Sequence, residues 1–74
     1  MNVGQNIKRI REERGVTQVH LAEAVGVTQS MLCQIERGTK LPSLPLSAQI
    51  ADVLRCDVQD FLSSTGEASE GEGR

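Results

Sequence analysis

Three glycines, Gly15, Gly26 and Gly38, fall at intervals of 11 and 12 residues, each just after an apolar pattern of helical period. Glycine in that position closes a helix in the left-handed conformation. The helices between them can hold only about three turns each, so the chain must fold as short helices joined by tight turns. Nothing in it alternates apolar and polar residues as a half-buried strand would, and the pattern predicts an all-α fold.

The helix starts carry signals of their own. Asn2 caps a first helix over about Val3 to Arg14, with Gln5 at the capping-box position and Val3, Ile7 and Ile10 as the buried stripe. Thr17 caps a second over Gln18 to Val25, in which Leu21, Ala22 and Val25 face inward and Val16 and Leu21 form a hydrophobic staple. The third repeats the device, with Thr28 as cap and Val27 stapled to Leu32. Only Gly26 and Val27 separate the second helix from that cap, which forces a sharp change of direction and suits a small Ala22 at a close approach. Ser43 precedes a fourth helix over about Leu44 to Leu54, where Pro45 in the first turn forfeits no needed hydrogen bond and Leu46, Ile50, Val53 and Leu54 form the apolar face. Asp57 caps a short fifth, with Asp60 at the capping-box position and Cys56 stapled to Phe61. The expectation is one compact five-helix domain over residues 1–62. A chain of 74 residues buries a limited core, and a partner subunit or ligand would add to its stability.

The remaining residues, 63–74, read "SSTGEASEGEGR" and offer almost nothing to bury, so a disordered acidic Ser/Gly/Glu tail is expected. This tail supplies the whole net charge of −2, because residues 1–62 balance seven bases against seven acids. Overall acidity is therefore no argument against a nucleic-acid partner. There is no apolar run long enough to span a bilayer and no secretory signal, which predicts a cytoplasmic protein without a membrane partner. Cys33 and Cys56, with His20 as the single histidine, do not supply a four-ligand zinc site, and both are expected to be reduced thiols. No metal, cofactor or enzymatic activity is expected, since convergent carboxylates and a glycine-rich phosphate loop are also lacking.

A helix, a tight turn and a second capped helix are the ingredients of a helix-turn-helix, in which the second helix enters the major groove. Leu32 and Ile35 point the third helix inward, leaving Gln29, Ser30, Cys33 and Gln34 on the opposite side. Glutamine pairs bidentately with adenine N6 and N7, and serine can donate or accept, so this uncharged face is suited to reading bases.

The stretch "VTQVHLAEAVGVTQSMLCQIERGTKLPSLPLSAQIADVL" resembles the helix-turn-helix of the Cro and phage-repressor family, also called the Xre family, over about Ile7 to Leu62. Its most specific elements are "TQ..LA...GV", "TQS.L.QIERG" and "P.L......IA..L". The resemblance implies a lambda-repressor-like five-helix DNA-binding domain, a repressor acting as a homodimer on inverted repeats in double-stranded DNA. Matched residue by residue, it puts base reading on Gln29, Ser30 and Gln34, and phosphate contact on Gln18, Arg37 and Lys40. It also implies an ion pair between Arg11 and Glu36 that ties the first helix to the end of the third. Two positions depart from the family pattern: Arg55 stands where glycine often follows the fourth helix, and Cys33 stands where the family is usually polar or charged. Lys8, Arg9 and His20 are read as solvated surface. The alternative to a DNA regulator is an antitoxin-like or other interaction module that binds a partner protein as well as DNA.

Overall fold

The computed structural model describes residues 2–62; the acidic tail of residues 63–74, expected to be disordered, lies outside the described residues. Five helices follow in order: α1 (Val3–Glu13), α2 (Gln18–Val25), α3 (Gln29–Arg37), α4 (Leu44–Leu54) and α5 (Gln59–Leu62). No strand occurs among the described residues, and no helix is long and apolar enough to cross a membrane.

Each start is held by the side chain expected there. Asn2 Oδ1 accepts from the Gln5 amide at 3.2 Å, Thr17 Oγ1 from His20 at 3.1 Å, Thr28 Oγ1 from Met31 at 3.0 Å and Ser43 Oγ from Leu46 at 3.2 Å. At α5 the Asp57 amide donates to Asp60 Oδ2 at 3.0 Å while Asp57 Oδ1 accepts from the Gln59 amide at 3.1 Å. This satisfies donors that a helix start otherwise leaves without partners.

The first four helices end alike. A left-handed residue is followed by an amide that reaches back over the last turn, from Val16 to Arg11 O, Val27 to Ala22 O, Thr39 to Gln34 O and Cys56 to Ala51 O, at 2.9–3.1 Å. The left-handed residue is glycine at the first three ends, but at the fourth it is Arg55, with φ 59° and ψ 50°. A side chain in that conformation costs about 1 kcal/mol relative to the right-handed region. The strained end is braced from α1, where Arg14 Nε donates to Leu54 O at 2.8 Å. Helix α1 ends at Glu13, with Arg14 as its right-handed C-cap and Gly15 as the left-handed residue after it.

One apolar cluster fills the centre: Ile7 and Ile10 from α1, Leu21 and Val25 from α2, Leu32 and Ile35 from α3, Leu46, Ile50 and Leu54 from α4, and Phe61 from α5. Helix α1 packs on α3 and α5, and α2 packs on α3 and α4. Asn6 Nδ2 donates to Phe61 O at 2.7 Å, fixing the last helix to the first. Val3, expected in the buried stripe, is only half-buried. Gly4 takes the inner position instead, and its backbone lies against the carbonyls of Ile35 and Glu36, where a Cβ would overlap Ile35 O. The first and third helices therefore touch backbone to backbone at this point.

Candidate nucleic-acid interface

The turn between α2 and α3 is short because Gly26 adopts φ 76° and the Val27 amide closes back on Ala22. Ala22, almost fully buried, admits the following helix at this corner. Helix α3 then lies across the domain with Leu32 and Ile35 buried and Gln29, Ser30 and Gln34 exposed. Cys33 and Met31 are half-buried at the margins of that face. The outward surface at the start of α3 is thus made of uncharged hydrogen-bonding groups.

Beneath this face lies a buried bidentate ion pair. Arg11 Nε donates to Glu36 Oε2 at 2.8 Å and Arg11 Nη2 to Glu36 Oε1 at 3.2 Å, with the two side chains only 10% and 3% exposed. Arg11 Nη1 also donates to Val16 O at 2.8 Å. The guanidinium thereby joins α1, the turn before α2 and the end of α3. A pair so enclosed costs about 3–5 kcal/mol to break by removing one partner, because the other is left charged and unsolvated.

Gln18, the first residue of α2, connects this pair to the outer face. It is half-buried; its Nε2 donates to Glu36 Oε1 at 3.1 Å, and its Oε1 accepts from Gln29 Nε2 at 3.4 Å. The side chain is thus turned toward other protein groups. Arg37 and Lys40 are exposed at and just beyond the end of α3, and Arg37 Nη1 approaches Cys33 Sγ at 3.8 Å.

Lys8, read from sequence as plain surface, lines a recess of about 310 Å³ together with Arg11, Gln18, Cys33, Glu36 and Arg37. It brings a third cation to the edge of the α3 face. Its position three residues before Arg11 on α1 is the signal that could have placed it there, since residues so spaced share a helix face. Arg9 instead pairs with Glu13 at 3.4 Å in solvent, and His20 is exposed. A larger hollow of about 680 Å³ lies beside α4, lined by Ala48, Asp52, Arg55 and Cys56 among others, away from this face. Among the described residues no three His, Cys, Asp or Glu side chains come together as metal ligands would.

A protein-family model described as helix-turn-helix matches residues 7–61. The immunity repressor protein of Bacillus phage phi105 is 47% identical over 58 residues, which make up 78% of this chain and 40% of that protein. The chain thus spans less than half of that relative. The HTH-type transcriptional regulator YazB of Bacillus subtilis (strain 168) is 39% identical over 58 residues, covering 78% of this chain and 84% of YazB. Among solved structures, that of SinR, a master regulator for biofilm formation, in complex with DNA matches with a TM-score of 0.77 at 37% identity, covering 82% of this chain and 98% of that one.

Proposed function

The chain belongs to the helix-turn-helix family, and from that membership we propose that it is a sequence-specific, double-stranded-DNA-binding transcriptional regulator, a repressor acting as a homodimer. The observation that carries the reading is the exposed uncharged face of Gln29, Ser30 and Gln34 at the start of a helix set off by a sharp turn. That face offers hydrogen-bond donors and acceptors of the kind that pair with base edges, and it carries no charge. Residues 1–62 form the DNA-binding domain, and the cytoplasm is where it works.

Roles divide by chemistry. Gln29, Ser30 and Gln34 read base edges in the major groove. Arg37 and Lys40, exposed beyond α3, neutralise phosphates and set the register, and Lys8 adds to the attraction. Gln18 meets a phosphate through the amide end of α2, since its side chain faces Glu36 and Gln29. The proposed dimer presents two such helices one DNA turn, ~34 Å, apart. Relatives named as an immunity repressor and as a regulator bound to DNA support this reading.

The test is titration of a mixed-sequence duplex over a range of salt. Each phosphate contact contributes roughly 0.9 to the slope of log affinity against log salt, so Arg37→Ala with Lys40→Ala, which removes four contacts from a bound dimer, should flatten it by roughly 3.6. An unchanged slope would remove both residues from the interface. A second reading, attachment to a partner protein, draws on Leu41 and Leu44, which are 78% and 74% exposed beside the same face. Competition for one surface distinguishes them: a protein partner covering these leucines would be displaced by DNA.

A further inference from the structure

We infer that the acidic segment of residues 63–74 is a built-in competitor for DNA, its glutamates occupying a cationic trough formed by Lys8, Arg37 and Lys40. The inference rests on the proposal above that these cations meet phosphates, and it adds a regulation of that face by the chain itself.

The trough follows the line where α1 meets the end of α3. One recess of about 310 Å³ takes in Lys8 and Arg37, and a second of about 350 Å³ takes in Arg37 and Lys40 beside Asn2, Val3 and Leu41. Arg37 belongs to both, so the three cations share one surface. All three are exposed, and among the described residues no carboxylate pairs with any of them. The nearby acids are engaged elsewhere: Arg11 holds Glu36 at 2.8 Å and lies 3.9 Å from Glu12, and Glu13 pairs with Arg9 at 3.4 Å. On a domain whose seven bases and seven acids balance, three cations are thus left without partners on one face.

The surplus acid of the chain follows directly after this domain, as Glu67, Glu70 and Glu72 against Arg74. The described chain ends next to the trough. Phe61 O accepts from Asn6 at 2.7 Å, and Asn6 stands on α1 two residues before Lys8 and two after Gly4, whose backbone lies against Ile35 and Glu36, just before Arg37. A chain spans at most about 3.3–3.6 Å per residue, so Glu67 can lie up to ~17 Å and Glu72 up to ~35 Å from Leu62. All three glutamates can therefore meet the trough. Exposed ion pairs are individually weak, each worth roughly 1.4- to 5-fold in an equilibrium. Tethering offsets this, since a short linker holds its ligand at an effective concentration of order millimolar. DNA must displace the glutamates to reach the same cations, and its apparent affinity falls by the fraction of chains whose trough is open.

The test compares the full wild-type chain with a Glu67→Gln, Glu70→Gln, Glu72→Gln variant, which keeps the length of the segment and leaves residues 1–62 unaltered. Two quantities are measured: affinity for a mixed-sequence duplex, and the backbone amide resonances of the DNA-free protein. The variant should bind the duplex about three- to tenfold more tightly at roughly 0.05 M salt, with the gain shrinking toward roughly 0.2 M as screening weakens exposed pairs. Its resonances should differ from wild type at Lys8, Arg37 and Lys40 and match elsewhere in the domain. Tighter binding with unchanged resonances would mean that the segment repels phosphate from solution without occupying the trough, and would overturn the inference. Shifted resonances with unchanged affinity would overturn competition while leaving DNA binding intact. Failure of both proteins to bind any duplex would overturn the DNA reading, and the competition with it.

Discussion

Replacing Gly4 by alanine sets two physical rules against each other. Gly4 is the second residue of α1, and helix propensity alone would make the change stabilising by about 0.5–1 kcal/mol. The packing predicts the opposite sign. A Cβ built at Gly4 overlaps Ile35 O, and Glu36 O and Ile35 C each lie 3.0 Å from it. All three are backbone atoms, so no rotamer change can relieve the clash, and α1 must move away from α3. That movement also pulls on the Arg11–Glu36 contact at 2.8 Å. Overpacking of this kind costs typically 1–3 kcal/mol, and the strained ion pair places Gly4→Ala toward the upper part of that range. For a domain of this size each kcal/mol is worth roughly 4–8 °C, so a fall of about 10 °C or more is expected. Thermal unfolding followed by circular dichroism, with urea titration as a second measure, reads it directly. A melting temperature at or above wild type would show that the two helices do not meet backbone to backbone.

Three further outcomes follow from the same structure. Arg55→Gly should stabilise the domain by about 1 kcal/mol by relieving the left-handed side chain at the end of α4, and a drop in stability on denaturant titration would mean that Arg55 makes a contact worth more than the strain. Glu36→Ala should cost about 3–5 kcal/mol by stranding Arg11 in the interior, enough to loosen or unfold a small domain; unfolding at the wild-type temperature would refute that burial matters here. Burial first, then the Asp60 carboxylate, raises the Cys56 thiol above its ordinary 9.0, with Asp57 adding and Arg14 opposing. The folded state thus holds this proton more tightly than the unfolded chain, so its contribution to stability is complete below pH 9.0 and is lost as pH rises above it. Denaturation of wild type and Cys56→Ser between pH 8 and about 10.5 should show the wild type losing more, and parallel curves would contradict this.

What the sequence made legible was local chemistry. A capping threonine, a stapled valine and a closing glycine act within a few residues of one another, and so Thr17, Thr28, Gly26 and Gly38 marked the turn and α3 without help from the rest of the chain. The inward residues of α3 followed from period alone. Less legible were features set by where helices cross. Gly4 is identical in sequence to an ordinary weak helix former, and only its approach to Ile35 gives it a purpose. Arg14 looked like the last residue of α1, yet its partner Leu54 O is 40 residues away. Gln18 was assigned by resemblance to a phosphate, whereas its side-chain hydrogen bonds to Glu36 and Gln29 depend on α2 and α3 being packed together. Lys8 illustrates an intermediate case, because its helix face was readable but the neighbour of that face was not.

Whether the outer face of α3 reads DNA sequence is decided by selection of bound duplexes from a random library at roughly 0.15 M salt, where screening limits purely electrostatic capture. Wild type is run beside a Gln29→Ala, Gln34→Ala variant shown to be folded. Wild type should enrich inverted half-sites about 10 bp apart, and the variant should lose or re-specify them. A folded wild type that enriches nothing, or a variant that enriches the same sites, would contradict it.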